Sequence, residues 1–195
     1  MIGADTIYNH TGIQFLQLNT LYQLYSLVRQ KSPQLEIAQY FLTMPDLINY
    51  WLTGVLGNEY TNATTTQCFN TKTRTWAKEM VSQLGIPTHI FQAIIPTGSV
   101  LGPLQRSIAD RYAAQAIQVV APACHDTGSA VLAVPAGSFA QEQPDWCYIS
   151  SGTWSLMGVE VSSPVINERC RAYNFTNEGG VGDTICLLKH ISGLW

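Results

Sequence analysis

The sequence predicts an α/β protein on three observations. Apolar residues recur at helical spacing in the first half of the chain, as at Leu21, Leu24, Tyr25 and Val28. A short run rich in β-branched residues, Ile117-Gln118-Val119-Val120, stops before Pro122 and is followed by a small-residue stretch, Gly128 to Val134, that suits a packed helix. Finally, the stretches 146–150 and 154–161 flank Gly152-Thr153 in the pattern of strand, tight turn, strand.

Each element follows from local chemistry. Asn19 stands where an N-cap is wanted, just ahead of the Leu21 stripe. The segment Leu35 to Leu42 is a shorter helical candidate. Met44-Pro45-Asp46 opens another helix, because the fixed φ of proline suits a first turn; Leu47, Tyr50 and Trp51 share one face, and Thr53-Gly54 ends it. Glu59 to Gln67 is rich in Thr and Asn without a sustained helical stripe, so it reads as a loop, either merely solvated or presenting hydroxyls and amides to a polar ligand. Helical spacing resumes at Ala77, Met80, Val81 and Leu84, and Gly85 with Pro87 supplies the stop. Pro96, Gly98, Gly102 and Pro103 mark turns, Leu104 to Ala114 is a helix, and Ile117 to Val120 a buried strand. Ala136 to Asp145 is a surface connection and the best domain boundary. Beyond the hairpin, residues 171–183 are polar and glycine-rich. Within them Asn177-Glu178-Gly179-Gly180 reads as a turn before it reads as a ligand loop, and Ile185 to Leu194 looks like the opening of a helix.

Composition narrows the function. A chain of 195 residues, 46% hydrophobic, buries roughly 70% of the surface its unfolded form exposes, enough for one large domain or parts of two. Charged residues are 12% and the net charge is -3, which leaves no basic field for nucleic acid. Five cysteines, odd in number and without a C-x-x-C pair, fit a reducing, cytoplasmic setting. No leader-like stretch stands at the N-terminus, and no run reaches the ~18 apolar residues of a membrane span. The phosphate-loop, dinucleotide, zincin and serine-hydrolase motifs are all absent.

Two places can carry chemistry. Asp126 lies where a strand gives way to a helix, the address at which open α/β sheets bind ligands, and it could take a proton from a substrate alcohol. Position alone serves equally well for capping the following helix. The turn Ser150-Ser151-Gly152-Thr153 offers hydroxyls and a close backbone approach to phosphate oxygens, although such turns are common in hairpins that bind nothing. Cys124, His125 and Asp126 have the residue types of a thiol triad, but immediate neighbours rarely converge on one point. His10, His89 and His190 have no ligand spacing and read as surface or packing residues.

Taken in order, five blocks resemble the FGGY type of sugar kinase, and within it the rhamnulokinases. They are Thr11-Gly12-Ile13-Gln14-Phe15 with Asn19 to Leu24; Met44-Pro45-Asp46, Leu52-Thr53-Gly54 and Glu59 to Gln67; His125-Asp126-Thr127; Ser150 to Gly158; and Thr176 to Gly180. The resemblance covers nearly the whole chain. It implies an actin-like (ribonuclease H-like) two-domain α/β fold, present in part. Residues 1–138 would be the later part of an N-terminal sugar-binding domain, 139–146 a connection, and 147–195 the start of a C-terminal nucleotide-binding domain.

The same resemblance implies a small-molecule sugar and ATP with Mg²⁺ meeting in the interdomain cleft, and transfer of phosphate to O1 of L-rhamnulose. Asp126 would be the proton acceptor, His125, Asp126 and Thr127 the sugar contacts, and Thr153 an ATP contact. His190 stands where the family commonly has an ATP-contacting Asn. The stretch from Asp126 to Thr153 is a few residues longer than is usual. The family's N-terminal phosphate hairpin and later glycine-rich adenine segment have no counterpart here, so the isolated chain is expected to be inactive. A remnant or sugar-binding module, or a kinase of another ketose or polyol, are the alternatives. No partner beyond sugar and nucleotide is implied, neither nucleic acid nor membrane, and oligomeric state is left open.

Overall fold

A computed structural model describes residues 2–138, 140–191 and 193 of the chain. Helix α1 (Ala4–Thr11), which the apolar pattern does not announce, ends where Gly12 turns left-handed at φ 66° and donates its N–H to the Tyr8 carbonyl at 2.7 Å. Helix α2 (Thr20–Arg29) buries Leu21 and Leu24 as the spacing predicts. Asn19 is its N-cap residue, but its side chain donates instead to the Gln14 carbonyl and to Gln67 Oε1. Helix α3 (Pro33–Ile37) is shorter and earlier than the expected 35–42, since the backbone is already extended at Ala38. Helix α4 (Met44–Thr53) starts on Thr43, whose N–H and hydroxyl both donate to Asp46, and stops at Gly54 with φ 79°.

The segment expected to be a loop after Glu59 is instead strand β1 (Asn58–Glu59) followed by helix α5 (Tyr60–Thr65), and most of it is buried. Its threonines are self-satisfied: the hydroxyls of Thr64, Thr65 and Thr66 donate to the carbonyls of Thr61, Asn62 and Ala63 at 2.6–2.8 Å. A hydroxyl bonded within its own turn needs no water, so a Thr-rich helix can enter a core.

Strands β2 (Phe69–Asn70) and β3 (Thr75–Trp76) form a hairpin that leads to helix α6 (Lys78–Ser82), and β4 (Ile94–Ile95) lies parallel to β1. Strand β5 (Ser99–Pro103) pairs antiparallel with β6 (Gln118–Ala121) across helix α7 (Arg106–Tyr112). The expected buried strand is therefore half-exposed: Val119 and Ala121 turn inward while Val120 faces out, because β6 sits in a sheet of only two strands.

Helix α8 (Asp126–Leu132) follows, then β7 (Tyr148–Ser151) and β8 (Ser155–Val161) as the expected hairpin, helix α9 (Glu168–Ala172), β9 (Thr176–Gly179) and β10 (Ile185–Ile191). The last four strands make one antiparallel sheet in the order β7-β8-β10-β9. Two expectations fall here. Asn177-Glu178-Gly179 is strand rather than turn, and the helix expected from Ile185 is the central strand β10; residues 192, 194 and 195 lie outside the described residues. A short apolar run reads the same in either conformation, and pairing with β8 and β9 on its two sides decides for the strand.

Two apolar cores result. Tyr60, Phe69, Trp76, Met80 and Phe91 lie in the first, where the Phe69 and Trp76 rings meet edge to face at 6.0 Å. Val131 of α8 packs with Tyr148, Leu156, Cys186 and Leu188 in the second. Strand β9 ties the two together. The Gly179 N–H donates to Thr64 Oγ1 at 2.8 Å, and a Cβ on Gly179 would come within 2.6 Å of Tyr60 Cε1, so only glycine lets the strand lie this close to α5.

Candidate functional site

Beyond β6, Pro122 offers no N–H to a ladder, and Cys124 and His125 hang from buried side chains instead. The Cys124 N–H donates to Glu59 Oε2 at 3.1 Å, and the His125 N–H donates to Thr61 Oγ1 at 3.1 Å. Thr61 is itself bound to Glu59, its N–H reaching Oε1 at 3.0 Å and its hydroxyl Oε2 at 2.5 Å. Asn62 N–H and the Thr97 hydroxyl complete the shell of this fully buried carboxylate. Behind it, Asp46 accepts from the Glu59 N–H and from Asn58 Nδ2. A stack of buried carboxylates thus holds the entry to α8 in one place.

Asp126 is not the cap residue of its helix. The N-cap position of α8 belongs to His125, and Asp126 is the first helical residue. One of its oxygens accepts from the adjacent Thr127 N–H at 2.7 Å, while the side chain is 97% exposed. It opens onto a cavity of about 510 Å³ whose walls include His125, Thr127, Ser150, Ser151, Gly152, Thr153 and His190. The residues singled out in three separate sequence blocks therefore share one space.

His190, in β10 opposite Leu156, lies against Trp154 with ring centroids 5.7 Å apart. Burial, and then the neighbouring His125, push its pKa down, so it is held neutral, and its Nδ1 is buried without a partner among the described residues. His10 and His89 lie outside this cavity, each with a ring nitrogen on a backbone carbonyl. The thiol-triad pattern does not assemble a nucleophile: burial first, then Glu59 and Asp46, push the Cys124 thiol up to about 12. Among the described residues, no group of three or more His, Cys, Asp or Glu is placed to hold a metal ion.

Residues 1–133 match the N-terminal domain of the FGGY family of carbohydrate kinases. The chain belongs to this family. It is 45% identical to a rhamnulokinase of Oceanobacillus iheyensis over 194 residues, covering 100% of this chain and 40% of that protein. To a rhamnulokinase of Halalkalibacterium halodurans it is 46% identical over 192 residues, covering 98% of this chain and 39% of that protein. The chain thus spans about two-fifths of the length of these relatives. Among solved structures, a gluconate kinase from Lactobacillus acidophilus superposes with a TM-score of 0.81 at 23% identity, over 96% of this chain and 36% of that one. The α/β fold is that of the sugar kinases.

Two cavity residues of this FGGY chain were named in the sequence only as members of longer blocks and given no role of their own. Gln14 is buried between α1 and α2 with its Nε2 unpartnered among the described residues, and Glu178 is buried on β9. Glu178 Oε2 stands 3.4 Å from His125 Nδ1. Burial raises its carboxyl pKa, the imidazole of His125 lowers it in part, and Asp126 raises it further. Only the strand pairing of β9 with β10 brings Glu178 to this wall, and a reading of its sequence as a turn hides it.

Proposed function

We propose that this chain supplies the sugar-binding wall and part of the nucleotide wall of an ATP-dependent kinase that phosphorylates L-rhamnulose at O1. On this reading residues 1–138 belong to the sugar-binding domain and 147–195 open the nucleotide-binding domain, in a cytoplasmic enzyme. The observation that carries it is the shared cavity, with an exposed carboxylate at Asp126 and the Ser151-Gly152-Thr153 turn on its walls. The two relatives given above are rhamnulokinases, and that supports the choice of sugar.

Phosphoryl transfer asks little covalent work of a protein. It needs a hydroxyl in line with the γ-phosphate, an acceptor for its proton, and donors for charge on the transferred group. Asp126 takes the O1 proton as the sugar oxygen bonds to phosphorus and ADP leaves. His125 and Thr127 hold the sugar on either side of that carboxylate. Thr153 and His190 face the nucleotide. Mg²⁺, which keeps several waters and asks for few protein ligands, would be carried on the phosphates of ATP and would neutralise charge there.

In a complete kinase containing this segment, Asp126→Asn lowers kcat by about 10²- to 10⁴-fold and leaves ATP affinity within a few fold. Near-normal turnover would remove Asp126 from its role. The same coupled assay, run with L-rhamnulose and a panel of other ketoses, tests the sugar. Sugar binding without turnover in the complete protein would replace the kinase reading by that of a binding module.

A further inference from the structure

The proposed mechanism leaves Glu178 unused. Its side chain is 7% exposed, and its Oε2 has no hydrogen-bond partner among the described residues. A carboxyl oxygen buried without a donor is costly, and native chains keep few of them. This one faces His125 Nδ1 at 3.4 Å, while the other nitrogen of the same ring, Nε2, stands 3.7 Å from Asp126 Oδ1. A single imidazole therefore separates a buried carboxyl group from an exposed one. Neither end is free to drift: the His125 N–H is held by Thr61, and β9 is held by the Gly179–Thr64 bond.

We infer that Glu178 is a positioning residue that backs Asp126 through His125, as the inner end of a proton path leading away from the sugar. The inference rests on the reading of Asp126 as base. When the sugar O–H bond breaks, Asp126 gains the proton. That proton passes from Asp126 to His125 Nε2 as the Nδ1 proton of His125 passes to Glu178 Oε2. Asp126 is restored as a carboxylate, the imidazole ends neutral as it began, and the proton rests on Glu178. The direction suits the environment of the inner carboxyl, since burial raises the pKa of Glu178, while Asp126 lies in solvent.

Neither contact is a hydrogen bond as it stands, the Nε2–Oδ1 pair being too long and the Nδ1–Oε2 pair not aligned as one, and catalytic hydrogen bonds commonly tighten only when substrate closes a site. Other titratable groups border the path. His190 of β10 is affected by His125, and Tyr148 of β7 and Cys186 of β10 are affected by both Glu178 and Glu160 of β8.

The first test uses the 195-residue chain with ¹⁵N-labelled histidine. In the unsubstituted protein the His125 ring should carry its proton on Nδ1 at neutral pH, and in Glu178→Gln the ring should shift towards the Nε2-protonated tautomer as the anionic acceptor is lost. A neutral ring protonated on Nε2 in the unsubstituted chain overturns the inference, whether or not the variant folds.

The second test is kinetic, in the complete kinase. Glu178→Gln should lower kcat by about 10- to 100-fold and flatten the acid limb of the kcat–pH profile, with KM for sugar and ATP within about threefold; Glu178→Asp should restore part of the rate. Unchanged kcat and pH profile, or a raised sugar KM with unchanged kcat, would reject the path. If Asp126→Asn is inactive while Glu178→Gln is normal, only the path falls. An active Asp126→Asn takes the base reading with it.

Discussion

Glu59→Gln tests whether the buried carboxylate beneath the site holds it in shape. An amide offers one acceptor oxygen where the carboxylate offers two. With the oxygen kept at the Oε2 place, the Thr61 N–H loses its acceptor and the Thr97 hydroxyl must rotate. With it at the Oε1 place, the Thr61 hydroxyl and the N–H groups of Asn62 and Cys124 all face an NH₂ group. A buried donor left alone costs about 1–3 kcal/mol, and bonds to a charged acceptor are worth more than neutral ones. The gentler placement therefore costs about 2–4 kcal/mol, a large share of the ~5–15 kcal/mol that holds a domain together. With a urea m-value of about 2 kcal/mol/M, the unfolding midpoint followed by tryptophan fluorescence falls by about 1–2 M. Amide exchange at Cys124 and His125 should quicken more than at Leu188, in the second core. A midpoint shift below about 0.3 M, or unchanged exchange at those two amides, would refute the claim that Glu59 anchors the entry to α8.

His190 adds a pH dependence of known sign. Its folded pKa lies below the ordinary 6.5, through burial and then His125, so its stabilising contribution is complete above pH 6.5 and is lost as pH falls through the folded value. Thermal melts of the unsubstituted chain should lose more stability between pH 7 and 5 than those of His190→Asn; parallel curves would show that the ring is not desolvated. Alkylation should separate the thiols. Cys147 is exposed and should react first, whereas Cys68 and Cys186, pushed up to about 12 by burial, should react only on unfolding, as mass mapping after timed iodoacetamide treatment would show. Gly179→Ala should cost about 1–3 kcal/mol in the same urea melts by forcing β9 away from Tyr60, and a neutral result would mean that the strand has room to move.

Punctuation was the most readable layer of the sequence. Gly54 ends its helix in the left-handed conformation as expected, Pro45 sits in a first turn, and the Gly152 turn joins two strands. Those signals are local, and so they survive folding. Wherever the outcome depended on distant partners, local reading failed. The threonines of α5 look solvated until their hydroxyls are seen to close on their own turn. Ile185 to Leu188 can be helix or strand until β8 and β9 flank it. The site divides in the same way. Asp126 and Thr153 stood out through their local motifs, His190 only through the family resemblance, and all three line one cavity, while Glu178 and Gln14 needed the register of β9 and the closure of the N-terminal helices.

The carbonyl of Gly12 accepts from the Asn177 N–H at 2.9 Å and from Asn177 Nδ2 at 3.1 Å, across a sequence separation of 165 residues. Asn177 precedes Glu178, and a Cβ on Gly12 would meet Ile166 Cδ1 at 2.9 Å. One peptide oxygen near the start of the chain thus sets the depth of an acid near its end. In a screen for loss of function, substitutions at Gly12 would score with those of the cavity wall although Gly12 is not part of it, and a map built from distance to the ligand would miss them.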